Sequence, residues 1–228
     1  MKRLITLALV FLFTIPFTLS AESIVKLKAD ADAATKAALA APADYAANWK
    51  AAKAWRDYGD ENVKTEASGW KEIAKKAGKE GMKFGEIAQK NNPKGIEGWY
   101  YYGLSVGTYS DGVSILTALK EGLKGKTQTA FEKSYALNKA YDDCGPILSL
   151  GRFWQVLPWP MNDKKKSLEL FNEYVAKMGA SKDCNNDVWF YRGSLYKEMG
   201  KKAEAKADLE KAAAGGNKDA KKLLTEIK

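Results

Sequence analysis

From Trp189 to Ala212 the chain sets its apolar residues at a helical period, and that period breaks once, at Gly200. Trp189, Gly193 and Tyr196 follow steps of four and three, as do Ala205, Leu209 and Ala212, so each set shares one face of a helix. Two helices joined at a single glycine must run back antiparallel. Small residues at Gly193 and Ala205 let them cross closely, while Trp189, Tyr196 and Leu209 fill the space between. Gly200 supplies the left-handed backbone that ends the first helix. The stretch therefore predicts a helix-turn-helix repeat.

Earlier stretches echo it. Trp49 precedes Ala52 and Trp55, with Gly59 seven residues after Ala52; Trp99, Tyr100, Tyr101 and Tyr102 lead to Gly103; Ile147 and Leu150 lead to Gly151 and Trp154. Gly103, Gly151 and Gly193 are 48 and 42 residues apart, against about 34 for a tetratricopeptide unit, so insertions lie between the helices. One is Leu157-Pro158-Trp159-Pro160, where two prolines forbid a continuous helix. Another is 114–123, an amphipathic stretch that predicts an extra short helix. Leading helices are predicted over 144–154 and 184–199, trailing helices over 63–89, 127–141, 163–178 and 201–214, and a capping helix over 218–227. The fold class that follows is all-α: a short, irregular tetratricopeptide-like solenoid of about four helix pairs, one inserted helix and a C-terminal cap. The expected organisation is an export signal at 1–21, an alanine-rich lead-in helix or linker at 22–44, and the repeat domain at 45–228.

The export signal rests on Lys2 and Arg3 ahead of an apolar run over 4–19, broken by Pro16 and closed by the small residues Ser20 and Ala21. That run is short for a spanning helix, and no cysteine stands at its end to accept a lipid, so a periplasmic or secreted protein without a stable membrane anchor after cleavage is expected, an uncleaved N-terminal anchor being the alternative. The full chain carries 37 basic and 28 acidic residues, formally +9. The excess is scattered in helical acid–base pairs, and no basic stripe interleaved with aromatics points to nucleic acid. Export gives the cysteines meaning. Cys144 and Cys184, the only two, each open a leading helix, and neighbouring leading helices start side by side, so a disulfide is expected; a reactive thiol pair is the alternative.

The chain has no histidine, which removes the commonest general base and metal ligand. No phosphate-binding loop or calcium loop is present, and no motif selects a carboxylate pair for catalysis. Neither an enzyme nor a cofactor or metal site is expected. Aromatic residues carry the remaining signal. If the leading helices line the inner curve of a solenoid, positions three before and one after each small crossing residue face it. Trp49, Lys53, Tyr100, Leu104, Leu148, Arg152, Phe190 and Ser194 fall there, and Arg56, Gln155 and Lys197 lie one turn further. The contact set expected from these is Trp49, Lys53, Arg56, Tyr100, Arg152, Gln155, Phe190 and Lys197, a basic and aromatic surface suited to carboxylate-bearing peptides. The plainer alternative is that most of these aromatics pack in the core.

The order of features over 49–212 resembles the tetratricopeptide-like T-component of periplasmic TRAP transporters, the TatT family. The residues that carry the resemblance are Trp49-x-x-Ala52-x-x-Trp55, the Gly98–Gly103 segment, and Gly145-Pro146-Ile147-Leu148-Ser149-Leu150-Gly151-Arg152-Phe153-Trp154 followed by Pro158-Trp159-Pro160. It implies a helical scaffold that docks a solute-binding subunit and associates with further copies of itself as a ring. A second functional class is a small helical protein that binds an organic acid in a pocket walled by Trp99–Tyr102 and Trp154–Trp159.

Overall fold

The structure, a computed structural model, describes residues 15–227, with side chains described from residue 22. Residues 1–14 of the expected export signal lie outside the described residues. Every regular element described is helical. α1 (Ile15–Ala40) lies on α2 (Tyr45–Thr65) through Ala31 and Ala38, both buried, and Trp55 Nε1 donates to Thr35 Oγ1 at 2.7 Å. No helix among the described residues is long and apolar enough to cross a membrane.

Asp44 starts α2 by accepting from the Ala47 amide at 2.6 Å, which satisfies one of the free donors of the first turn. α2 then runs through Gly59, where the echo of Gly200 suggested a turn. The reversal comes later, at Glu66 (φ 47°) and Gly69 (φ 75°), so the trailing helix begins at Trp70 rather than at 63. Gly59 is a packing notch: a Cβ there would stand 2.5 Å from Thr108 Cγ2 and 2.9 Å from Ala77 Cβ.

α3 (Trp70–Asn91) is the trailing partner of α2, and α4 (Ile96–Gly112) leads the second pair. Buried small residues on α3, from Ala74 through Gly78, Gly81 and Gly85 to Ala88, bring the two helices close. The inserted helix α5 (Ile115–Lys120), capped by Ser114, stands between α4 and its trailing helix α6 (Leu123–Asn138). Next come α7 (Tyr141–Val156) with α8 (Lys164–Met178), and α9 (Asp187–Glu198) with α10 (Lys202–Ala214). Gly200, at φ 74°, turns α9 into α10, and Gly216, at φ 92°, lies in the turn from α10 to α11. α11 (Lys218–Thr225) closes the stack, burying Ala220.

One contact recurs through the stack. A Cβ on Gly103 would meet the Phe131 ring at 2.7 Å, one on Gly151 the Phe171 ring at 2.8 Å, and one on Gly193 Leu209 Cγ at 2.9 Å. Three leading helices, α4, α7 and α9, thus each hold a notch for a large residue of the trailing helix. The core falls in two main parts, an alanine-rich one around Ala51, Ala52, Trp55 and Phe84 and an aliphatic and aromatic one around Ile147, Phe171, Val188 and Leu209, and Leu104 touches both.

The four aromatics at 99–102 go different ways because α4 has neighbours on several sides. Tyr101 stacks on Trp49 of α2 (5.8 Å), Tyr102 packs over Gly85 of α3, Tyr100 faces α7, and Trp99 Nε1 donates to the Pro93 carbonyl at 2.9 Å. Against the expected disulfide, Cys144 and Cys184 are both free thiols. Three left-handed residues, Asp142, Asp143 and Cys144 (φ 50°, 52° and 62°), carry the first thiol into the core, while Cys184 Sγ turns to the Asn185 carbonyl at 3.8 Å.

Candidate interaction groove

The four leading helices line one groove of about 900 Å³, with α5 and the turn after α7 at its mouth. It crosses the helices obliquely. α2 contributes late positions (Arg56, Asp60), α4 spans Tyr100 to Asp111, α7 spans Asp142 to Val156, and α9 contributes only its start (Asp187, Tyr191). Such a diagonal follows when successive pairs are rotated relative to one another.

This obliquity sorts the expected contact residues. Arg56, Tyr100 and Arg152 line the groove. Gln155 stands behind Arg152, accepting from its Nη1 at 2.9 Å. Trp49 is taken up by Tyr101, and Lys53 lies 5.9 Å over the same ring while pairing with Asp57. Phe190 packs on the C-terminal core and edge-on to Tyr191, leaving Tyr191 to face the groove. Lys197 pairs with Glu226 at 2.6 Å, tying α9 to the region of the cap. Of the aromatic walls expected for an organic-acid pocket, Tyr100 lines the groove, but no tryptophan does.

The lining also differs in sign from the expected basic surface. Asp60, Asp111, Asp142, Asp143, Asp183 and Asp187 face it, against Arg56, Lys64, Lys124 and Arg152. Lys53 and Lys197 made the face basic on paper, and both are paired elsewhere. Asp111 could have been found from its place seven residues after Leu104, which puts both on one helical face. Nothing in the residue pattern marks the left-handed run that brings Asp142 and Asp143 to the groove.

Burial shapes the charges here. Burial works against the Arg56 cation, but Asp60 and Asp57 outweigh it and hold its pKa above the ordinary value. Arg152 is lowered by burial despite Tyr191 and Asp111 nearby. Asp111 is pushed up to about 6 by burial and by Asp60, with Arg152 opposing. The Tyr100 phenol is raised by burial and by Asp142, and its oxygen occupies the place where a side chain on Gly145 would lie. A second hollow of about 350 Å³ lies between α6 and α8, lined by Glu132, Lys166, Glu169 and Glu173. Among the described residues no three Cys, Asp or Glu side chains gather as a metal site would require.

The repeated notches and the groove across the leading helices define an all-helical stack with a tetratricopeptide-like repeat fold. Among solved structures the chain is similar to TTC0263, a thermophilic TPR protein of Thermus thermophilus, with 14% identity, a TM-score of 0.60, and coverage of 93% of this chain and 96% of that one. It is also similar to MamA, with 16% identity, a TM-score of 0.55, and coverage of 89% and 97%. At such identity the likeness is one of fold. No family model matches the sequence, and no curated protein matches it.

Proposed function

We propose that this protein is an exported, non-catalytic scaffold that engages a protein partner through the groove. The observation that carries it is the groove itself, which draws walls from all four leading helices and combines apolar floor residues (Leu104, Phe131, Leu148, Phe153) with fixed charges, the mixture found where a protein surface buries a partner. The tetratricopeptide-like fold of the solved neighbours supports the same reading. The sequence resemblance to TRAP T-components names a specific partner, a periplasmic solute-binding subunit, and adds self-association as a ring. Lys2, Arg3 and the apolar run after them support export.

Photo-crosslinking in the producing cell tests the proposal. A photoreactive side chain at Ser149, which lines the groove, is expected to capture one protein, and the same group at exposed Lys133 of α6 is not. The captured protein, purified, should bind the chain reciprocally. Equal labelling from both positions would remove the groove as the interface. Recovery of the protein in the cytoplasmic fraction would remove export, and a partner other than a solute-binding subunit would remove the transporter role.

A further inference from the structure

Arg152 and Asp111 are opposite charges on the walls of one groove, yet neither makes an ion pair among the described residues. Opposite charges facing one groove attract one another, so groups that engage either of them elsewhere decide whether they close. Here the holding groups are visible. The Arg152 guanidinium lies 4.5 Å from the centre of the Tyr191 ring, and its Nη1 donates to Gln155 Oε1 at 2.9 Å. Gln155 is only 8% exposed, and its amide donates to the Tyr191 carbonyl at 2.8 Å and to Ser194 Oγ at 3.1 Å. The ring that carries the guanidinium and the amide that aims it are therefore tied to the same turn of α9. On the other wall, Asp111 ends α4 beside Asp60 of α2, and Asp60 is already engaged with Lys64 at 2.9 Å and Arg56 at 3.6 Å.

We propose that the space between Arg152 and Asp111 is a two-point charge site for a partner segment that carries an acidic and a basic side chain close together. The carboxylate lies on the Arg152 fork, and the cation lies against Asp111 with Asp60 behind it. Desolvation within the groove lowers the Arg152 pKa and raises that of Asp111, whose side chain still reaches groove water, and a segment bringing the complementary pair favours both charges. Holding the two walls apart beforehand spares the partner the cost of opening a salt bridge. The occupant is a chain segment because apolar groups flank the charges. Leu104 and Leu148 line the same groove, as do Ile115, Leu119 and Val156, all three exposed. A free amino acid, with one side chain at most, offers too little apolar surface to cover three exposed aliphatic groups.

This inference rests on the scaffold reading, and its test is separate from the cross-linking experiment. Fluorescence anisotropy on the whole chain would use end-capped, dye-labelled peptides of leucine, alanine and glycine that carry either one lysine and one glutamate, two lysines, two glutamates or two glutamines. The mixed-charge peptide is expected to bind at least about tenfold more tightly than the other three. Arg152→Gln should remove the advantage conferred by glutamate and Asp111→Asn the advantage conferred by lysine, each about tenfold, while Arg152→Lys restores part of the first loss. Circular dichroism melts confirm that each variant is folded. Equal binding of the four peptides, binding of none, insensitivity to both substitutions, or displacement by free lysine and glutamate as effective as by peptide would overturn the proposal. A Ser149 cross-link that persists alongside any of those results leaves the scaffold standing and removes only this site.

Discussion

Gln155 shows how much of this protein's character sits in single side chains that no motif announces. Its amide joins Arg152, the Tyr191 carbonyl and Ser194, so Gln155→Leu is expected to free Arg152 to swing toward Asp111. The Asp111 carboxyl, observed by NMR titration, should then titrate below about 6; an unchanged midpoint would show that Gln155 does not hold the two apart. Asp111 faces Asp60, Arg152 and Tyr191 across the groove. Because its folded pKa is raised, the folded protein takes up the proton more readily than the unfolded chain. The stability this contributes is present below the ordinary carboxylate range and is lost as pH rises through about 6. Asp111→Asn should therefore raise stability at neutral pH, by at most about 1 kcal/mol because the side chain remains open to groove water. Urea titrations at neutral and at mildly acidic pH would show the gain at the first and its disappearance at the second.

Helix positions were legible wherever the spacing of small and large residues repeats. The Gly151 and Gly193 copies, the turn at Gly200, the inserted α5 and the closing α11 all follow from the residue pattern. The end of α2 did not, because Gly59 has the spacing of a turn residue and the packing of a notch, and only the approach of Thr108 and Ala77 tells the two apart. The same distinction makes a pair of opposite expectations. Gly107, in α4, has nothing within 4 Å of where a Cβ would stand, so Gly107→Ala should stabilise by up to about 1 kcal/mol through helix propensity. Gly78, in α3, would put its Cβ 2.5 Å from the Tyr109 amide nitrogen, a main-chain atom that cannot turn aside, so Gly78→Ala should destabilise by about 1–3 kcal/mol. Thermal or urea unfolding of the two variants decides between a notch and a bystander. The α9–α10 pair carries one further device absent from the sequence reading. Arg192 bonds Asp208 through Nε at 2.6 Å and Nη2 at 2.9 Å, with the side chains only 13% and 5% exposed. Asp208→Ala should cost about 3 kcal/mol because it strands the guanidinium, and a loss below that of a surface pair would show that water rescues it.

The stack as a whole behaves as a chain of neighbours, since each helix pair meets chiefly the next. Ending the chain before Lys218 would uncover Ala220's seat and the apolar surface that Leu223, Leu224 and Ile227 cover. Hydrogen exchange is expected to show protection falling in α9 and α10 and holding in α3 and α4. Uniform loss along the chain would instead mean one indivisible core, which Leu104, shared by both main parts of the core, could support. Two of the expected groove residues, Lys53 and Lys197, changed role because other carboxylates reached them first: Asp57 one turn along α2, and Glu226 beyond the last repeat. The sequence by itself determined the helical class, the antiparallel pairing and the notch positions, because spacing along a helix decides which residues share a face. Which charges line the groove, and which stay unpaired there, was decided only by tertiary structure. The rotation between successive pairs sets where the groove crosses each helix, and that rotation belongs to contacts between helices rather than to any one of them.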